Sequence, residues 1–286
     1  MFRSYKFQLA AVLVTLGMAA SVSSHADGIF APSYNADTVF TDGLGGTTMG
    51  LTFDGANYYS VSGGGTNGVR EAQYTAAGAV SAAYSPGLDF RSIFIGPGGA
   101  IQARQFNDGT IYTQTAPGSF APTLTLAGGV PDSQSSVVFD SSGNYDAMTG
   151  GTVSRWTAAG AALPSVALSG YGAIGTESDF AASRGLATVD NYWLTYADGT
   201  LSAWDFSGNR VGTTTLNGAG ASFDSDFGFS YANGQAFVID EAGGSWSGYN
   251  VGFSTAATPE PGSIALLTGM GLSGGIFAFR RRRRAH

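Results

Sequence analysis

One six-residue segment occurs twice in the sequence, as GTVSRW at Gly151–Trp156 and as GTLSAW at Gly199–Trp204. Looser copies begin at Gly109 and Gly244, so the four marker glycines are 42, 48 and 45 residues apart. Each copy alternates small and apolar residues, which is the pattern of a short β-strand with one buried face. The chain is therefore predicted to consist of repeats of about 45 residues.

A second motif precedes the marker glycines and predicts a hairpin. It is clearest as LTFDGANYY at Leu51–Tyr59 and as VVFDSSGNY at Val137–Tyr145, with looser versions at Leu186–Trp193 and Phe229–Phe237. Two apolar stretches joined by Asp, Asn and Gly are typical of two strands and a tight turn. A complete repeat then contains about four short strands, which is typical of a β-propeller blade.

We therefore predict an all-β exported domain at residues 27–254, folded as a β-propeller of about five four-stranded blades. Residues 29–41 precede the repeats and are expected to pair with the last blade and close the ring. Alternatives are a sixth blade from residues 29–50, or a β-sandwich or β-solenoid. The repeats are similar to NHL-type propeller repeats at the level of fold, a likeness that says little about function.

The N-terminal residues 1–26 have the features of a secretory signal peptide. A basic start with Arg3 and Lys6 precedes a short apolar stretch, and small residues then fit a cleavage site between Ala26 and Asp27. The domain that follows is therefore expected to be exported.

The C-terminal region contains three segments in a fixed order. A linker at residues 255–262 contains Pro259-Glu260-Pro261, and the uncharged apolar run at 263–279 has the length of a short transmembrane helix. A basic tail at 280–286 follows. Its five arginines are expected to remain cytoplasmic as a stop-transfer signal. They are Arg280, Arg281, Arg282, Arg283 and Arg284.

This order closely resembles the PEP-CTERM sorting signal of Gram-negative bacteria, on the basis of Pro259, Glu260, Pro261, the apolar segment and the arginine cluster. The resemblance implies recognition by an exosortase, a membrane-embedded cysteine transpeptidase that cuts near the motif. It also implies an inner-membrane intermediate, delivery to the cell envelope, outer surface or exterior, and a link to exopolysaccharide and biofilm. The three motif residues would be a recognition site and not a catalytic one.

Composition excludes several kinds of site from the exported domain. The chain has no cysteine, and its two histidines are His25 and His286, so a Ser-His-Asp triad and thiolate or imidazole metal sites are excluded. All 20 acidic residues lie between Asp27 and Glu260, together with six arginines and no lysine. This acidic surface repels phosphate backbones, so no nucleic-acid partner is expected.

Aromatic residues recur at equivalent repeat positions, namely Trp156, Trp204 and Tyr249, with Tyr74 in the loosest copy. They are candidates for a ligand-facing platform that stacks on sugars. Recurrence in several repeats favours the alternative, in which each ring packs against the neighbouring blade.

Acidic residues give further candidates. Aspartates near the predicted hairpin turns are expected to cap those turns. They are Asp54, Asp140, Asp190 and Asp240. The stretch from Asp140 to Asp146 is rich in oxygen ligands but lacks the order of a calcium loop. Two carboxylate pairs, Glu177 with Asp179 and Asp224 with Asp226, are candidates for glycoside hydrolysis.

We predict from these observations a non-enzymatic exported protein, without cofactor or metal, that has a structural or adhesive role in a polysaccharide-rich matrix. A glycan- or divalent-cation-binding propeller is the first alternative. The second is a carboxylate-based hydrolase or lyase, which requires several acidic residues to converge on the central channel.

Overall fold

The computed structural model describes residues 29–173 and 185–253, which form a five-bladed β-propeller. The predicted signal peptide with its Ala26–Asp27 cleavage site lies outside the described residues. So do the linker with Pro259, Glu260 and Pro261, the apolar segment and the basic tail. Within the described ranges, no helix is long and apolar enough to cross a membrane.

Blades 1 to 4 are each built on four antiparallel strands that follow one another in chain order from the centre outwards. Blade 1 contains β3 (Thr48–Phe53), β4 (Asn57–Ser62), β5 (Glu71–Thr75) and β6 (Val80–Tyr84). Blade 2 contains β7 (Phe90–Ile95), β8 (Ile101–Gln105), β9 (Thr110–Ala116) and β10 (Ser119–Thr125). Blade 3 contains β11 (Val137–Phe139), β12 (Asn144–Thr149), β13 (Thr152–Thr157) and β14 (Ala162–Ala167). Blade 4 contains β15 (Leu186–Val189), β16 (Tyr192–Ala197), β17 (Thr200–Asp205) and β18 (Arg210–Asn217).

Blade 5 is completed by the N-terminal part of the chain. It contains β19 (Ser230–Ala232), β20 (Gln235–Asp240), β21 (Ser245–Tyr249) and, as its outermost strand, β2 (Thr38–Thr41). Strand β2 runs antiparallel to β21, with Phe40 opposite Trp246. The predictions of a five-bladed propeller and of ring closure by residues 29–41 are confirmed.

The sequence did not indicate a second role for the N-terminal segment. Strand β1 (Ser33–Asn35) pairs in parallel with β18 and adds a fifth strand to blade 4. Ile29 and Phe30, just before it, are buried in the core between blades 4 and 5. The N-terminal segment therefore adds a fifth strand to blade 4 and supplies the fourth strand of blade 5.

Serine side chains join the innermost strands of neighbouring blades. In each case a serine hydroxyl oxygen accepts a hydrogen bond from a backbone N–H of the next blade. The donor and acceptor pairs are Val137 to Ser92 (3.1 Å), Leu186 to Ser136 (3.0 Å) and Leu51 to Ser230 (2.9 Å). At the corresponding positions of blades 1 and 4 the chain has Gly50 and Gly185. A Cβ on Gly185 would lie 2.7 Å from the carbonyl oxygen of Asp226, so position 185 requires glycine.

A buried carboxyl group connects blades 1 and 2. Glu71 on β5 is fully buried, and its Oε1 accepts a hydrogen bond from Gln114 Nε2 at 2.5 Å. Its Oε2 accepts from the backbone N–H of Gly118 at 2.9 Å. Burial raises the pKa of Glu71 to about 7, because loss of water around the charged form outweighs these two hydrogen bonds.

We expect the N-terminal segment to contribute to the free energy of unfolding through its buried ring at Phe30. Phe30→Ala removes a buried ring that lies 5.4 Å from the ring of Phe253, and should lower the free energy of unfolding by about 3 kcal/mol. The measurement is urea unfolding followed by tryptophan fluorescence. Ser33→Ala, an exposed position of the same segment, is the control and should have little effect. Equal unfolding midpoints for Phe30→Ala and wild type would contradict this role of the segment.

Because the pKa of Glu71 is raised in the folded protein, we expect stability to fall as the pH rises. The unfolded carboxyl ionises near its ordinary pKa of 4.5 and the folded one near 7, so the folded protein holds the extra proton between these values. This contribution to stability is complete below the lower pKa and is lost as the pH rises through the higher one. The urea midpoint should fall between about pH 5 and pH 8, and it should fall less in Glu71→Gln. Asp146, whose pKa burial also raises to about 7, accounts for a remaining slope. Identical slopes in the two proteins would disprove the assignment to Glu71.

Candidate functional site

The innermost strands of all five blades enclose a central channel with a cavity of about 210 Å³. Its walls combine aliphatic, aromatic, hydroxyl and amide side chains. Among the lining residues, all from the described part of the chain, none is Asp, Glu, Lys, Arg or His. The channel is therefore a neutral site at the centre of an acidic protein.

One end of the channel is closed. Lining residues at the start of the inner strands are buried, as Met49 and Ser92 illustrate with exposed fractions of 8% and 4%. The helix α1 (Phe223–Phe227) lies just before β19, and its Phe227 packs in the same apolar cluster as Met49 and Ile93. The channel is covered on this side by the connection between blades 4 and 5.

The other end opens beside the hairpin turns that join the first and second strands. Phe53, Phe139 and Thr188 are half-buried there, and Asn233 is exposed. Lining residues therefore become more exposed towards the ends of the inner strands. A ligand would enter the channel from this side.

Hydrogen-bonding groups and aromatic rings meet at the open end. Thr188 Oγ1 donates to the carbonyl oxygen of Phe139 at 3.2 Å, and Asn233 Nδ2 donates to Tyr58 Oη at 2.7 Å. Tyr231 also lines the channel, and burial together with the nearby Asp190 raises the pKa of its phenol, so the hydroxyl stays protonated at neutral pH. Neutral hydroxyl and amide groups beside aromatic faces suit an uncharged, hydroxylated ligand.

The aromatic residues predicted from the repeats lie in the interior. Trp156, Trp204, Tyr249 and Tyr74 are all buried at interfaces between blades. Each side chain donates a hydrogen bond to the preceding blade. The acceptor lies at the end of that blade's fourth strand or in the residues just after it. The pairs are Trp156 to the oxygen of Ala127 (2.9 Å), Trp204 to Ser169 (3.0 Å), Tyr249 to Asn217 (3.2 Å) and Tyr74 to Asp42 Oδ1 (3.1 Å). These side chains connect blades, and none of them presents a face to a ligand.

The turn aspartates act mainly on their own backbone. Asp54 Oδ1 accepts hydrogen bonds from the N–H groups of Ala56 and Asn57 at 2.8 and 2.7 Å. Asp240 Oδ1 accepts from Gly243 at 3.1 Å. Asp190 has a φ of 48°, a left-handed conformation that Asp tolerates in tight turns. The structure thus supports capping of the turns by Asp54 and Asp240, whereas for Asp190 it shows only a turn conformation.

An arginine occupies the region considered for calcium. Arg155 Nη2 lies 2.8 Å from Asp140 Oδ2, and its Nε lies 3.1 Å from Asp146 Oδ1. Trp193 Nε1 in blade 4 donates to the other oxygen of Asp146 at 2.7 Å. The guanidinium therefore takes the place that a cation would need. Within residues 29–173 and 185–253, no three His, Cys, Asp or Glu side chains group to hold a metal ion.

Of the four carboxylates in the predicted pairs, the structure describes only the side chain of Asp226. Glu177 and Asp179 lie outside the described residues, and the side chain of Asp224 is not described. Asp226 is buried in α1 and does not line the channel. The convergence of acidic groups that a carboxylate-based hydrolase requires is thus absent from the described lining.

No protein-family model matches the chain, and the search of the curated proteins gives no match. Solved structures do match. A glutaminyl cyclase of Myxococcus xanthus is 11% identical, with a TM-score of 0.56 over 77% of this chain and 98% of that protein. Virginiamycin B lyase of Staphylococcus aureus is 13% identical, with a TM-score of 0.39 over 71% of this chain and 67% of the lyase. BamB of Moraxella catarrhalis is 14% identical, with a TM-score of 0.36 over 75% of this chain and 61% of BamB. Only the first score is high enough to compare architectures, and at this identity it shows the fold alone.

These matches correct one prediction. The sequence led us to expect a protein without enzymatic activity, because the fold and the missing histidine and cysteine offered no familiar catalytic group. That prediction is contradicted, since a structure with a similar fold is a glutaminyl cyclase. A propeller with this architecture is compatible with catalysis, and the missing residue types exclude only the mechanisms that use them.

Proposed function

We propose that the protein is an exported propeller that binds a neutral saccharide at the open end of its central channel. The observation that carries the proposal is the composition of the lining, where hydroxyl, amide and aromatic groups surround a cavity without charged side chains. A concave site with apolar walls and a few convergent polar groups is the usual form of a small-ligand site.

The charge distribution favours neutral over acidic sugars. A carboxylate in the channel would lose water without gaining a cationic partner, which is unfavourable. The surrounding acidic surface would also repel an anionic chain. Neutral sugars avoid both costs, because their hydroxyls pair with Thr, Asn and Tyr groups and their apolar faces pack on aromatic rings.

Titration calorimetry with neutral tetrasaccharides of gluco, manno and galacto configuration tests this proposal. At least one should bind, while tetragalacturonate should not. Thr188→Val should weaken binding about three- to tenfold, because one hydroxyl is lost from the channel. The control is Thr115→Val, which removes an exposed threonine with a similar hydrogen bond to a backbone carbonyl. Product analysis by mass spectrometry belongs to the same experiment, since enzymes share this fold. Failure of every neutral sugar to bind at about 10 mM would refute the proposal.

We also propose that the chain reaches the cell envelope or exterior by exosortase-type sorting, with exopolysaccharide as its partner there. The support is sequence evidence, namely the signal-peptide pattern and the order of Pro259-Glu260-Pro261, apolar segment and arginines. A neutral saccharide site in the channel would give the sorted protein a way to hold matrix polymers. The role is then that of a surface or matrix protein that attaches to polysaccharide.

Intact mass spectrometry of the protein from spent medium and from membranes of its host tests the sorting proposal. The exported form should begin near Asp27 and end near Pro259–Pro261, because the motif directs cleavage. Glu260→Ala should leave the protein uncut in the membrane fraction. Recovery of exported wild-type protein that still carries Arg280–Arg284 would contradict processing.

A further inference from the structure

A cluster of three partly exposed aromatic rings lies between blades 4 and 5, next to the open end of the channel. Tyr192 is the first residue of β16, Tyr231 belongs to the inner strand β19, and Phe253 follows β21. The rings of Tyr192 and Phe253 are nearly parallel, at an interplanar angle of 5° and a centroid distance of 5.8 Å. Tyr231 meets Phe253 edge-on at 6.2 Å. We call these three residues the blade 4–5 platform.

The platform is held in place from behind. Phe253 packs on the buried ring of Phe30 at 5.4 Å, and Tyr34 Oη donates to the carbonyl oxygen of Gly252 at 3.3 Å. The N-terminal segment thus fixes the position of Phe253. A rigid aromatic surface binds with little loss of side-chain entropy, since its rings are already ordered before the ligand arrives.

Polar groups flank the platform. The turn before Tyr192 contains Asp190 and the exposed Asn191. Ser141 of blade 3 contacts this turn, with its hydroxyl donating to the carbonyl oxygen of Asp190 and lying 3.3 Å from Asn191 Oδ1. An amide, a hydroxyl and the Asp190 carboxylate therefore lie in or beside the turn next to Tyr192, and each can form a hydrogen bond with a sugar hydroxyl.

Tyr231 connects the platform to the channel, because it lines the channel and also contacts Phe253. We propose that the blade 4–5 platform is a second subsite, which takes further units of a neutral sugar chain whose first unit occupies the channel. This inference rests on the proposed function and deepens it. It makes the ligand an oligosaccharide or polysaccharide instead of a single sugar.

The platform differs from the residues that the repeats suggested. Trp156, Trp204 and Tyr249 recur because each fills the buried interface between its own blade and the preceding one. Tyr192 and Phe253 are partly exposed and stack on each other at the interface of blades 4 and 5, where the N-terminal segment meets the last residues of the described chain. Aromatic residues that occur at a single blade interface fit a ligand site better than residues that recur at several interfaces, which fit a packing role.

The test compares a monosaccharide, a disaccharide and a tetrasaccharide of one neutral configuration, measured by calorimetry on the mature protein. Affinity should rise with chain length. Tyr192→Ala should lower the affinity for the tetrasaccharide about tenfold and leave that for the monosaccharide unchanged. Thr188→Val should weaken binding of both.

Two further variants control for folding and for nonspecific loss of an aromatic residue. Tyr192→Phe keeps the ring and should retain wild-type affinity for the tetrasaccharide. Tyr84→Ala removes a half-buried tyrosine at the outer edge of blade 1 and should not affect binding. If the wild-type protein binds monosaccharide and tetrasaccharide equally, or if Tyr192→Ala weakens both alike, the second subsite is refuted while the channel proposal stands. If no sugar binds, both proposals fail.

Discussion

The antiparallel pairing of β2 with β21 closes the propeller into a ring. A propeller is stable as a ring because every blade packs on two neighbours and no blade interface remains exposed. Here the last repeat supplies only three strands, and Thr38–Thr41 from the N-terminal segment supplies the fourth. Closure in turn brings Ser230 against Leu51, so that the innermost strands form a complete wall around the channel.

The sequence was sufficient to predict the architecture because it repeats the residues that build each blade. The repeated features are the Gly-Thr strands, the Asp/Asn/Gly hairpins and a large side chain five places after the marker glycine. All three serve the packing of blades, which is similar throughout the ring. In blade 2 the contact with the preceding blade is kept although the residue type differs. Gln114 stands at the aromatic position there, and it still bonds to the preceding blade through Glu71. Strand β1 escaped prediction because three residues that add to an existing edge leave no periodic pattern.

The candidate site was not predictable in the same way. Thr188, Tyr231 and Asn233 line the open end of the channel without recurring at the same place in the other repeats. Ligand specificity depends on such differences between blades, so a search for repeated residues passes over them. The charged residues chosen from the sequence have mainly structural roles instead. Asp140 and Asp146 both pair with Arg155, which connects β12, β13 and the turn between β11 and β12.

We propose that a neutral sugar chain binds at the open end of the channel and continues along the blade 4–5 platform. A crystal structure of the mature protein soaked with a neutral tetrasaccharide would show this placement. We predict density for one sugar unit between Thr188 and Tyr231, with the following units against Tyr192 and Phe253. Sugar density on another face of the propeller, with the channel free of sugar at saturating ligand, would contradict it.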